Sequence, residues 1–170
     1  METPNYQYLE EPISRIRQLN HKEANNFVGC SDVEIEHLEL SLPDGYKLPA
    51  AYKEFLKAGG HEFGPLFWWT HMGYKDVLAI AKSKNVGWAE YVLDPPKIFD
   101  SKVFIIEDGD GLFFSYLNLD EGDDPPVYRF VETMSRFHEA RLESKHFSEF
   151  LLAFAKKMEK IYTYDRGTDR

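Results

Sequence analysis

VFIIEDGDGLFFSYLNLDEGDDPPVYRFV, residues 103–131, alternates three apolar runs with two acidic, glycine-containing turns. Val103-Phe-Ile-Ile106 and Leu112-Phe-Phe-Ser-Tyr-Leu117 are rich in β-branched and aromatic residues, the types that fit a pleated, half-buried surface. Glu107-Asp-Gly-Asp-Gly111 joins them with turn residues, a hairpin signature. After the polar turn Asp120-Glu-Gly-Asp-Asp124 and Pro125-Pro126, which cannot donate to a strand ladder, Val127–Val131 reads as a third strand. Three consecutive strands on short turns predict an antiparallel meander.

Downstream, Phe147, Phe150, Leu151, Phe154, Met158 and Ile161 recur at helical spacing and predict a closing helix with one apolar stripe. Lys156, Lys157 and Lys160 fall in its last turns, where cations offset the helix dipole. Upstream the pattern is helical. Ile13, Ile16 and Leu19 place a helix over Pro12–His21. Ser31-Asp-Val-Glu34 matches a capping box and starts a helix running to about Leu40 with Ile35 and Leu38 inward. Pro49 suits a first helical turn; Tyr52, Phe55 and Leu56 then share a face until Gly59-Gly60 stops the segment. Leu66-Phe-Trp-Trp-Thr70, behind Gly64-Pro65, reads as a short buried strand, with Tyr74–Ala81 as a helix after it. Trp88, Tyr91 and Val92 extend that apolar side as far as Asp94-Pro95-Pro96. Helices first, a consecutive sheet, then a closing helix define an α+β class rather than alternating βαβ units. One domain is expected from 170 residues.

A net charge of −9 argues against nucleic acid as a direct ligand, since phosphate binding is driven by Lys and Arg. With Cys30 the only cysteine, an intrachain disulfide and a cysteine-based zinc cage are both ruled out, and a reducing, cytoplasmic setting is expected. The N-terminal stretch carries Glu2, Glu10 and Glu11 and lacks the basic-then-apolar pattern of a secretory signal; no run is apolar enough for a membrane helix.

The acid is concentrated. Residues 94–124 hold nine Asp or Glu and two Lys, a local net of −7. Glu107, Asp108, Asp110, Asp120, Glu121, Asp123 and Asp124 gather on two neighbouring turns and would give the sheet a negative edge able to meet a basic protein. The blander account is that Asp and Gly make good turns and that charge protects hairpin tips. A calcium loop starting at Asp108 fails on spacing, because glycine and the final glutamate are both missing. His21, His37, His61, His71, His138 and His146 show no His-x-x-x-His pattern, although His61 and His71 could meet in space. There is no nucleophile elbow, P-loop or dinucleotide fingerprint, and Cys30 has no basic sequence neighbour to activate it. Neither a catalytic residue nor a cofactor or metal site is expected. Trp68 and Trp69, adjacent on a strand, would point to opposite faces, leaving Trp69 as a candidate partner anchor or a second packing residue.

Glu34-Ile-Glu-His-Leu-Glu39 with Leu42-Pro43, Leu48-Pro-Ala-Ala-Tyr-Lys-Glu-Phe-Leu56 with Gly59-Gly60, Asp108-Gly-Asp-Gly111 with Phe113, Asp123-Asp-Pro-Pro-Val-Tyr128, and Phe147-Ser-Glu-Phe-Leu151 occur in that order. Together they resemble the SUKH superfamily, in its cell-wall-regulator-like (Smi/Knr) branch, over roughly residues 30–155. The resemblance implies N-terminal helices, a central antiparallel meander and a closing helix. It also implies the role of many bacterial members, immunity proteins that neutralise a polymorphic or contact-dependent toxin by stoichiometric binding. A basic nuclease is one such partner. A regulatory or scaffolding domain binding a non-toxin protein is the alternative, and a small hydrolase is a distant third. The candidate partner residues are Asp108, Asp110, Asp120, Glu121, Asp123, Asp124 and Trp69.

Overall fold

The computed structural model describes residues 6–42, 45–68, 70–83, 102–109, 113–131 and 140–164. Trp69, Trp88, Tyr91, Val92, Asp94, Pro95, Pro96, Asp110, Leu112 and His138 fall outside them.

Helix α1 (Glu10–Arg17) starts two residues before the expected position and stops sooner. It has no side-chain cap of its own. The Glu54 carboxylate instead accepts from the backbone N–H groups of Gln7, Tyr8 and Leu9, pinning the approach to α1 across the fold. Strand β1 (Phe27–Val28) precedes α2 (Asp32–Glu39), whose capping box forms as read: Ser31 Oγ accepts from the Glu34 N–H while Glu34 accepts from the Ser31 N–H. Pro49 is the N-cap of α3 (Ala50–Gly59), one position outside the first turn. The two glycines that end α3 are required by space. A Cβ on Gly59 would come within 2.6 Å of the Phe63 ring, and one on Gly60 would collide with Cys30 Sγ.

The expected strand over Leu66–Thr70 is a 3-10 turn, Leu66–Trp68. The strand in this region is β2 (Glu62–Phe63), paired with β1. Gly64 then takes a left-handed φ of 54° and Pro65 follows, which turns the chain away before the aromatic run can continue the ladder. Helix α4 (Tyr74–Ser83) follows.

The meander is present and one strand longer than read: β3 (Val103–Asp108), β4 (Phe113–Asn118), β5 (Val127–Val131) and β6 (Ala140–Ser144), in that spatial order and all antiparallel. Helix α5 (Phe147–Tyr164) closes the chain. Its Phe147, Leu151, Ala155 and Met158 are buried, while Ile161 at the end of the stripe is exposed. Among the described residues no helix is long and apolar enough to cross a membrane.

The sheet has two unequal sides. Phe104, Ile106, Leu117 and Val127 face the larger core with α1, α2, α3 and α5, while Val103, Ile105, Phe114, Tyr116 and Phe130 form a smaller cluster on the other face. Helix α4 lies beside the edge strand β3, with Val77 in the larger core and Ile80 against the smaller. At the centre of the larger core, Tyr52, Phe55, Phe104 and Phe147 are fully buried in edge and tilted ring contacts. The Tyr52 hydroxyl has no hydrogen-bond partner among the described residues. A buried hydroxyl without a partner costs about 1–3 kcal/mol. Tyr52→Phe, which keeps the ring, is therefore expected to stabilise the protein by about 1 kcal/mol, read as a higher urea midpoint at unchanged slope. A loss of stability would mean that the hydroxyl has a partner.

Candidate partner-binding surface

The predicted negative edge divides into two places. In an antiparallel meander consecutive turns lie at opposite ends of the shared strand. Six-residue β4 therefore separates the β3–β4 turn, with Asp108, from the β4–β5 turn, with Asp120–Asp124, by about 17 Å at 3.4 Å per residue. Asp108 itself is half-buried, and its backbone N–H donates to the His71 carbonyl at 3.3 Å.

Glu107 leaves the acidic surface altogether. The β3–β4 register shifts between Ile105 and Glu107, and this bulge turns Glu107 to the core face opposite Ser115. There its carboxylate accepts from Ser115 Oγ at 2.6 Å and pairs with Arg129 Nη2 at 3.0 Å. Arg129 also donates to Ser115 Oγ, pairs with Glu143 on β6 at 3.2 Å, and lies over the Phe113 ring. These groups line a cleft of about 280 Å³ between the sheet and α5, with Thr70, Phe154 and Lys157 on its far walls. Glu107 and Glu143 are both paired with Arg129, so the row of Glu107, Ser115, Arg129 and Glu143 acts as a polar clamp across four strands.

The β4–β5 turn is different. Asp120, Glu121 and Asp123 are exposed, and Gly122 provides the left-handed φ of 93° that the turn needs. Its ends are tied to three elements. The Leu119 N–H donates to the Lys102 carbonyl, the Asp123 carbonyl accepts from the Ala51 N–H at the start of α3, and the Asp124 carboxylate accepts from the N–H and hydroxyl of Ser148 at the start of α5. Asp124 also accepts, through its carbonyl, from the His146 ring. This half-buried residue is an anchor for α5, whereas Asp120, Glu121 and Asp123 point outward. Asp120 pairs with Lys102 at 3.2 Å and Glu121 accepts from the Tyr128 hydroxyl at 3.1 Å. Nearby, burial first and then the carboxylates of Asp123, Asp124 and Glu54 raise the Tyr8 phenol above its usual range, so these acids share one corner of the molecule.

Of the candidate residues, the four acids on the second turn, Asp120, Glu121, Asp123 and Asp124, are together, Asp108 stands apart, and Asp110 and Trp69 lie outside the described residues. His61 and His71 have separate partners: His61 Nε2 lies 3.0 Å from Glu34 Oε1, and His71 bridges to Asp108. The polar row at Glu107, Ser115, Arg129 and Glu143 was hidden by the bulge.

The molecule is an α+β protein in which helices cover an antiparallel meander and the second meander turn carries the exposed acid. The model of the SMI1 / KNR4 family (SUKH-1) matches residues 29–153, well over half of the chain, and the chain belongs to that family. The match spans α2 to the first turns of α5, including every element that anchors the acidic turn. No curated protein matches the sequence.

Proposed function

We propose that this chain is an immunity protein, which binds a cognate polymorphic or contact-dependent toxin stoichiometrically in the cytoplasm and blocks it by covering its active site or substrate groove. Family membership supports a protein-binding role. The observation that carries the reading further is the β4–β5 turn, an exposed acidic loop held in place at both ends. Fixing a loop before binding reduces the ordering cost at the interface. A nuclease groove lined with Lys and Arg for phosphate is the surface such a loop complements, and complementary charge raises the rate of encounter. Occlusion of this kind asks for no catalytic residue.

Co-expression with a toxin domain encoded beside the gene tests the proposal: restored growth together with co-purification supports it. Failure of both would leave the regulatory alternative. A sharper prediction concerns the loop. Changing Asp120, Glu121 and Asp123 together to Lys is expected to weaken toxin binding by at least about tenfold at low salt, mainly through slower association, and the effect should shrink as salt rises. Asp124 stays unchanged because it anchors α5. Unaltered affinity at low ionic strength would remove this loop from the interface.

A further inference from the structure

We propose that Cys30, Glu34 and His61 form a binding site for a borderline-soft divalent cation of the zinc type. Their donor atoms, Sγ, a carboxylate oxygen and a ring nitrogen, all lie within 4.8 Å of one another. Tetrahedral zinc, with bonds of about 2.0–2.3 Å, holds such donors roughly 3.3–3.8 Å apart, so side-chain adjustments alone close the set. A sulfur, nitrogen and oxygen set is the chemistry that selects zinc over magnesium or calcium.

Each donor is held by its surroundings before any cation arrives. The Cys30 N–H donates to the Leu56 carbonyl at 2.8 Å, and the His61 N–H donates to the Val28 carbonyl at 2.8 Å, so the β1–β2 pair sets the two backbones side by side. Glu34 Oε2 is engaged by the N–H and hydroxyl of Ser31, which directs Oε1 toward His61. The Tyr74 ring stands edge-on to His61 at 5.5 Å. The absent Cβ of Gly60 leaves the room that Cys30 Sγ occupies. Cys30 is buried while His61 and Glu34 are partly open, so three protein ligands would leave a fourth position toward solvent, the pattern of open zinc sites. Burial first and the Glu34 carboxylate second push the Cys30 thiol up to about 12; a bound cation would displace that proton.

The test is titration of the chelator-treated full chain with Co²⁺, then Zn²⁺. One equivalent of Co²⁺ giving a thiolate-to-metal charge-transfer band, which Zn²⁺ abolishes, together with a melting temperature that rises with Zn²⁺ concentration, is the expected result. Cys30→Ser should lose the band. Glu34→Gln keeps a residue able to complete the capping box, and both it and His61→Gln should weaken binding by at least about tenfold. Circular dichroism checks that each variant is folded. Absence of the band in the unmodified protein overturns the site, as does unchanged affinity in both folded Gln variants, which would reduce it to a metal held by one thiol.

Discussion

Arg129→Ala is expected to destabilise the protein by about 3 kcal/mol, the lower end of what removing one partner of a buried ion pair costs. The lower end applies because the Arg129 side chain is 26% exposed whereas that of Glu107 is 7% exposed. Alanine would strand the Glu107 carboxylate on the core face with only Ser115 Oγ to satisfy it. It would also strip the Phe113 ring of the guanidinium lying 4.6 Å from its centre and release Glu143 on the edge strand. Arg129→Lys should recover little, because a point charge cannot reach Glu107, Ser115 and Glu143 from three nitrogens as the planar fork does. Replacing both members, Glu107→Leu with Arg129→Met, is expected to restore most of the loss, since paired apolar residues avoid burying a lone charge. Urea denaturation of the two single variants and the double variant gives the coupling energy. Additive losses would show that the residues act independently and would defeat the clamp.

The same pair shows where sequence reading reached and where it stopped. Local chemistry was legible: Ser31 and Glu34 are three residues apart, and their capping box needs nothing else from the fold. The first three strands of the meander were legible because each is a β-rich run bounded by Gly, Asp or Pro. Strand β6 was not, since Ala140-Arg-Leu-Glu-Ser144 is an edge strand with largely exposed side chains and no inward alternation to announce it. The aromatic run at Leu66–Trp68 carries strand composition, but Gly64 and Pro65 redirect the backbone before it. Reading Glu107 as surface acid followed from composition. One extra residue in β3 reverses the face, and a bulge leaves no mark in that stretch. For the site as a whole, sequence proximity stood in for spatial proximity. It grouped turns that β4 holds apart, and it separated Glu34 from His61, which the short β1–β2 ladder brings to 3.0 Å.

Phe55→Ala should be the most damaging single change, costing about 4 kcal/mol by the usual range for a buried phenylalanine. The ring is fully buried and stands 5.7 Å from Tyr52, 5.1 Å from Phe63, 6.1 Å from Phe67 and 5.7 Å from Phe147. Its removal therefore leaves a cavity shared by α3, β2, the 3-10 turn and α5 rather than a gap within one element. Collapse around it is resisted because the walls are themselves rigid rings, which places the cost above simple transfer. Phe55→Leu, which fills most of the volume, should cost much less, and Val33→Ala on the exposed side of α2 should change stability by under about 0.5 kcal/mol. A loss below about 1.5 kcal/mol for Phe55→Ala would mean that the cluster repacks freely. The consequence extends to binding, because the acidic turn is hung from the first residues of α3 and α5, at Ala51 and Ser148. Phe147 of α5 packs against both Tyr52 and Phe55 of α3, so Phe55 helps to set those two helices against each other. In the fraction of Phe55→Ala that remains folded, association with the proposed toxin should then slow without any change in surface charge, whereas reversal of Asp120, Glu121 and Asp123 should slow it at a cost of at most about 1 kcal/mol from the exposed Lys102 and Tyr128 contacts.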